Sequence, residues 1–430
     1  MIYQTVLKDA TILDNGSSRV YDIGIGENGI IQAVATGLDG RQEHSLAGLY
    51  VLPGLVDMHV HFRDFNQGHK ETWYTGSRAA HSGGITYVGD MPNNDPPIIT
   101  PERLKQKRDI AQRDSAVNFG LYFAVTTESL PYLQELASAV IAFKLFMGES
   151  TGGINYPYDR LPEAFEAVAR TGKLLCVHAE DQRILDKGKE MYKGYDYVNH
   201  SLARPPSAEI EAIRYALKLS EEYGVPLHIC HVTTKHGVEL IREDMQRERN
   251  VTAETCPHYL LLSILNLTNS GPYAKMNPPL RCHSDQEELW RGITDGTIGM
   301  ITSDHAPHTR EEKDKGIGNI WNAPGGVPGV ETTLMLMLDA VNKGRLTLPR
   351  LVQLMHDNPV ERFCLERYGY MEEGNTANLT VVNLTEPWKI MDKDLQTKCR
   401  WSPYSRIPEL FSGMGKATGV VINGELFEIC

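Results

Sequence analysis

The run Asp57-Met58-His59-Val60-His61-Phe62-Arg63 sets two imidazoles and a guanidinium at alternate positions, directly after an apolar stretch. Alternate residues of a strand point the same way, so His59, His61 and Arg63 are expected to share one face. Two imidazoles so spaced suit a metal ion, and a fixed cation beside them suits a negatively charged substrate. A lone histidine in an apolar strand is ordinarily a hydrogen-bonded core residue. The run therefore gains its weight from what the fold brings to it.

Other unusual residues interrupt apolar segments further along. Lys144 lies in Ala142-Phe143-Lys144-Leu145-Phe146, His178 in Cys176-Val177-His178-Ala179-Glu180, and His231 in Ile229-Cys230-His231-Val232. Asp304 stands in Ser303-Asp304-His305-Ala306-Pro307-His308. Each falls near the C-terminal end of a predicted strand. Packing alone explains such a set poorly, whereas imidazole and carboxylate are ligands that zinc accepts. Lys144 reads in two ways. An ammonium in an apolar strand is costly unless paired, so it is either a salt-bridged structural lysine or an amine that has reacted with CO2. The resulting carbamate could bridge two metal ions.

The elements that must position these groups follow from hydrophobic patterning. Strands are predicted over 52–62, 85–91, 118–125, 140–147, 174–180, 226–233, 251–260 and 298–304, with helices between most of them, including 207–222, opened by Ser207-Ala208-Glu209, and 234–246. Eight strands alternating with helices predict an α/β fold, a (β/α)8 TIM-type barrel, whose chemistry sits at the C-terminal mouth. Residues before 52 read as short strands broken by turns at Asn15-Gly16 and Asn28-Gly29. Strand character returns at Ala377–Val382 and Gly419–Glu425 after helices to about 367. The expectation is one small β-sandwich built from both chain ends, 1–51 and 371–430, around a barrel spanning 52–370. The stretch Asn322–Gly329 is a Gly/Pro-rich loop, whose residues 325–329 read either as a place where backbone groups approach a substrate or as a plain surface loop.

Composition narrows the function. A net charge of −12 over 430 residues argues against nucleic-acid or membrane-surface partners, which favour basic patches. An anionic ligand must then be held by local cations. The seven cysteines are scattered without a C-x-x-C pair, so a reducing cytoplasm is expected rather than a disulfide framework or zinc ribbon. No signal-peptide pattern opens the chain and no apolar run reaches membrane-spanning length.

With these residues assembled, the chain resembles the amidohydrolase superfamily, and within it the dihydroorotases. The motifs are Asp57–Asp64, Asp90-Met91-Pro92-Asn93, Asn277-Pro278-Pro279-Leu280-Arg281 and Ser303–His308. Many relatives read Arg-Glu-Pro-Gly after the second histidine, where this chain has Arg63-Asp64-Phe65-Asn66. The resemblance implies two zinc ions per subunit at the barrel mouth. His59, His61 and Asp304 would bind one and His178 and His231 the other, bridged by carboxylated Lys144 and a hydroxide. It also implies that Asn93, Asn277 and His308 join Arg63 in gripping the substrate. Taken alone, the two asparagines read equally as turn residues and His308 as a loop anchor.

The activity so implied is reversible cyclisation of N-carbamoyl-L-aspartate to L-dihydroorotate plus water, in pyrimidine biosynthesis, with Asp304 as general base and then acid. Hydantoinases and allantoinases share the metal centre, but their substrates lack the ring carboxylate that a guanidinium would hold. A non-catalytic scaffold of the same fold is the remaining alternative, and the filled ligand positions count against it. A homo-oligomer is plausible by family analogy.

Overall fold

The computed structural model describes residues 2–14 and 16–429, so Asn15 of the first expected turn and Cys430 lie outside the described residues. Five strands open the chain: β1 (Ile2–Asp14), β2 (Ser17–Ile25), β3 (Ile31–Ala35), β4 (Asp39–Ser45) and β5 (Tyr50–Pro53). Eight short strands follow, β6 (Val56–Val60), β7 (Tyr87–Asp90), β8 (Asn118–Ala124), β9 (Ala142–Phe146), β10 (Leu175–His178), β11 (Leu227–Ile229), β12 (Val251–Thr255) and β13 (Met300–Ile301). Three more close the chain: β14 (Leu379–Lys389), β15 (Ser412–Ile422) and β16 (Glu425–Glu428).

Strands β6 to β13 pair in sequence order, all parallel. A parallel bridge between Val60 and His305, with the His61 amide donating to the His305 carbonyl at 2.8 Å, brings the two ends of this sheet together. The Ser303 amide adds a bond to the Asp57 carboxylate at 3.1 Å. The barrel expected from the sequence is thus borne out, with each strand shorter than its apolar run. Strands such as β6 and β9 are buried at every residue, as parallel strands covered on both faces must be. Polar side chains in them stand out for that reason.

The chain ends make a separate mixed sheet in the order β16-β15-β14-β5-β1-β2-β3, with β4 pairing to β1. Strand β5 passes into β6 through Gly54-Leu55. A Cβ at Gly54 would lie 2.5 Å from the Asn378 carbonyl oxygen, so only glycine permits this approach. The main apolar core runs from the barrel into the end sheet through Val382, Ala417, Val420 and Ile422. A smaller core around Leu7, Ile23, Ile31, Val51 and Leu379 lies within the end sheet.

Two local features differ from the sequence expectation. The helix Pro206–Tyr223 begins with Pro206 in its first turn and Pro205 at the cap, without a side-chain cap bond. The fixed φ of proline starts it, and Gly224 at φ 68° stops it. Residues 390–411, between β14 and β15, leave the end sheet and cross to the barrel mouth. There the Trp401 indole donates to the His308 carbonyl at 2.7 Å, and the Thr397 hydroxyl donates to Glu71.

Candidate metal centre and substrate pocket

The barrel places the six proposed ligands around its mouth. His59 belongs to β6, with His61 one residue past it. Lys144 is on β9 and His178 ends β10. His231 and Asp304 follow β11 and β13 at φ 37° and 42°. Positive φ at non-glycine residues is strained, and such strain collects at functional sites. His61 Nε2 lies 3.0 Å from Asp304 Oδ1, and His59 Nε2 lies 3.4 Å from the same oxygen. His178 Nδ1 lies 3.1 Å from His231 Nε2. The His59 and His231 rings, 5.3 Å apart, join the two pairs. Donor atoms of His59, His231 and Asp304 fall within 4.8 Å of one another.

Three of the four histidines are turned by a partner behind them. Glu254, on β12, holds His59 Nδ1 at 2.5 Å, and Asn93 Oδ1 accepts from His61 Nδ1 at 2.5 Å. Glu180 holds His178 Nε2 at 2.8 Å and is itself held by Arg204, whose Nε lies 3.1 Å from Glu180 Oε1. Such outer partners fix which ring nitrogen faces a metal. Charge follows this layout. Burial opposes ionisation of His59, but the Glu254 carboxylate raises it to about 10. His61 is pushed down to about 3, chiefly by burial. Burial likewise holds His231 well below its ordinary value. Burial would raise Asp304, yet His59 and His61 keep it far below the usual carboxylate range.

These donors fit a metal ion. Several buried imidazoles and one carboxylate converge there. Nδ1 of His231 has no hydrogen-bond partner among the described residues. The set is nitrogen and oxygen, suited to zinc-class ions. Lys144 is fully buried, its ammonium 2.9 Å from Cys230 Sγ and 5.1 Å from the Phe146 ring centroid. Among the described residues no carboxylate lies within 4.0 Å of it, so it is not the salt-bridged lysine of the alternative reading.

Beside this cluster is a cavity lined by Arg63, Asn93, Asn277, Asp304, Gly325 and Gly326. Arg63 reaches it by a route that strand alternation does not describe. Strand β6 ends at Val60, and Arg63, Asp64 and Phe65 all take positive φ, 25°, 47° and 46°. This is the segment where the chain departs from the Arg-Glu-Pro-Gly pattern. The guanidinium is 1% exposed, and its Nη1 has no partner among the described residues. Burial lowers it to about 10, so it remains a cation at neutral pH. Asn277 Oδ1 accepts from His200 at 2.9 Å. His308 stands behind Arg63, at 3.4 Å, with its Nε2 also 3.0 Å from the Gly325 carbonyl.

The Gly-rich wall is held from below. The buried Lys313 ammonium donates to the carbonyls of Lys275, Pro324 and Gly326 at 2.9–3.0 Å. At Gly326, φ 138°, a Cβ would sit 2.5 Å from the Ala306 carbonyl oxygen. Sequence reasoning does not reach Glu254, Glu180, Arg204, Cys230 or Lys313. Two signals were present: Glu180 stands two residues after His178, and Glu254 is a carboxylate inside a buried strand, the same anomaly that marks Lys144.

The sequence profile of the amidohydrolase family matches residues 50–427. Over 419 residues the chain is 37% identical to a dihydroorotase of Halobacterium salinarum, covering 97% of this chain and 96% of that one. It is 38% identical over 434 residues to a dihydroorotase of Methanosarcina acetivorans, covering 97% and 91%. Among solved structures, an L-hydantoinase (dihydropyrimidinase) from Arthrobacter aurescens superposes with a TM-score of 0.94 at 29% identity, over 99% of this chain and 96% of that one.

Proposed function

The chain belongs to the amidohydrolase family, and on that premise we propose that it is a dihydroorotase: it interconverts N-carbamoyl-L-aspartate with L-dihydroorotate plus water. The observation that carries this reading is the buried Arg63 guanidinium beside the His/Asp cluster, with Nη1 unpartnered among the described residues. A buried cation needs an anion. Dihydroorotate carries a ring carboxylate, and the fork of a guanidinium matches it.

Two zinc ions per subunit would be held by His59, His61 and Asp304 on one side and His178 and His231 on the other, with Lys144 carboxylated between them. When bound, the metals supply polarisation of the amide carbonyl and a water of lowered pKa. The protein's own groups do the rest. Arg63, with Asn93 and Asn277, holds the carboxylate and presents the ring amide to the cluster. His308 donates from Nε2 to the Gly325 carbonyl and packs behind Arg63. In hydrolysis Asp304 takes the proton of the attacking water as the C–O bond forms, then gives it to the ring nitrogen as the C–N bond breaks. Its carboxylate is ionised well below neutral pH, as a base must be. Ring closure runs the same steps backwards. No helix is long and apolar enough to cross a membrane among the described residues, and the six described cysteines are free. A cytoplasmic location and a homo-oligomer belong to this reading by family analogy alone.

Similarity to hydantoinase structures favours a second reading, a cyclic amidase for rings without a carboxylate. Turnover of dihydroorotate, hydantoin and allantoin by the metal-loaded enzyme separates the two. Dihydroorotate cleavage far above the others is expected. Robust hydantoin or allantoin cleavage without dihydroorotate cleavage overturns the proposal.

A further inference from the structure

Three neutral acceptors that border the substrate cavity are tied to other groups. The Gly325 carbonyl accepts from the Thr151 hydroxyl at 2.8 Å and from His308 Nε2 at 3.0 Å. Asn93 Oδ1 accepts from His61. Asn277 Oδ1 accepts from His200 Nε2 at 2.9 Å. His200 has no part in the reaction as described. It lies on the helix Val198–Ala203, 77 positions from Asn277, and is not among the residues that line the cavity.

His200 is firmly held. It is buried, and the Trp321 indole meets its ring edge to face with centroids 6.3 Å apart. That indole is anchored in turn, donating to the Gly194 carbonyl at 2.9 Å. Burial, with the Lys275 and Arg204 cations nearby, keeps His200 well below its ordinary value and therefore neutral. A neutral imidazole carries one N–H, and an amide oxygen only accepts, so the bond to Asn277 Oδ1 places that proton on Nε2. An amide whose oxygen is engaged presents its NH2 group elsewhere. Asn277 Nδ2 makes no hydrogen bond among the described residues. A Cβ at Gly325 would lie 2.9 Å from it, so the glycine gives the amide its room. An ionised carboxylate is an acceptor only. It gains from a donor at this position and is repelled by an amide oxygen there.

We propose that His200 is a positioning residue that suits this pocket to a ring bearing a carboxylate: it holds Asn277 Oδ1 away, so that Nδ2 is the atom offered to the anion. The inference deepens the dihydroorotase reading and rests on it, because Asn277 must touch the substrate carboxylate.

The test is steady-state kinetics of the metal-loaded enzyme with dihydroorotate. Without His200 the Asn277 amide is free to turn its oxygen to the anion. His200→Ala should then raise KM roughly tenfold, the weight of one hydrogen bond to a charged group, with a smaller change in kcat. In an Asn277→Ala background the same substitution should add nothing, because His200 acts through that amide. A merely structural His200 would raise KM by the same factor in both backgrounds. Asn277→Asp sets an anionic oxygen where Nδ2 stands and should raise KM further than Asn277→Ala. That comparison holds even where His200→Ala fails to fold. An unchanged KM in His200→Ala, equal factors in the two backgrounds, or Asn277→Asp no worse than Asn277→Ala overturns the proposal. A wild type that cleaves hydantoin and leaves dihydroorotate intact overturns the dihydroorotase reading itself, and this inference with it.

Discussion

Asp304 and Arg63 sit side by side in one cavity, and their replacement should separate chemistry from binding. Asp304→Asn keeps the shape and one oxygen but cannot take a proton. Proton transfer by a placed base contributes about 10²–10⁴-fold, so kcat should fall at least that far while bound metal, measured by elemental analysis, is largely retained. Turnover within tenfold of wild type would remove Asp304 from the proton-transfer role. Arg63→Met loses a charged hydrogen bond worth about 1.5–3 kcal/mol, and KM for dihydroorotate should rise roughly tenfold to a hundredfold with a smaller change in kcat. Unchanged dihydroorotate kinetics would mean the carboxylate is held elsewhere. The residues behind these two were harder to read from the sequence. His59 and Asp304 betray themselves by type and place, being polar at the ends of apolar strands. Glu254 touches His59 across 195 positions, and only the closed barrel gives that pairing.

Apolar runs locate the barrel strands because parallel strands are buried on both faces, and hydrogen bonding trims each run to a shorter ladder. The same logic fails for residues 390–411. Their excursion to the mouth depends on polar contacts that have no periodicity. Two buried glutamates anchor it: Glu71 accepts from the Thr397 hydroxyl, at 2.5 Å, and Glu331 accepts from the Gln396 amide at 2.9 Å. Burial raises the Glu331 carboxyl from 4.5 to about 7. Between these values the folded state binds more proton than the unfolded one, so this group's contribution to stability declines as pH rises through the window. Glu331→Gln holds the neutral form at every pH. Its melting temperature relative to wild type should therefore climb between about pH 4.5 and 7 and level off above. Parallel melting curves for the two proteins across that range would show that Glu331 stays ionised in the folded chain.

Metal and fold should be one cooperative system across the whole molecule. The proposed ligands come from β6, β9, β10 and the segments after β11 and β13, so no part of the barrel can assemble the site alone. The end sheet is tied to that barrel by buried and part-buried polar bonds as well as by the shared core. The Thr380 hydroxyl donates to the Gly84 carbonyl at 2.8 Å and accepts the Leu55 amide at 3.1 Å, and the Asn118 amide donates to Asn378 at 3.0 Å. A ligand at a hundred times its Kd adds about 2.7 kcal/mol per site. At about 2.1 cal/mol/K per residue, 430 residues unfold with an entropy near 0.9 kcal/mol/K, so each metal should raise Tm by about 3 °C. Chelation followed by calorimetry should then move one transition downward as a unit. A second transition that ignores the metal would mean the two sheets fold separately, and the polar bonds between them would be contacts without cooperative weight. A single transition that chelation does not move would mean that the folded chain gains nothing from metal at the mouth.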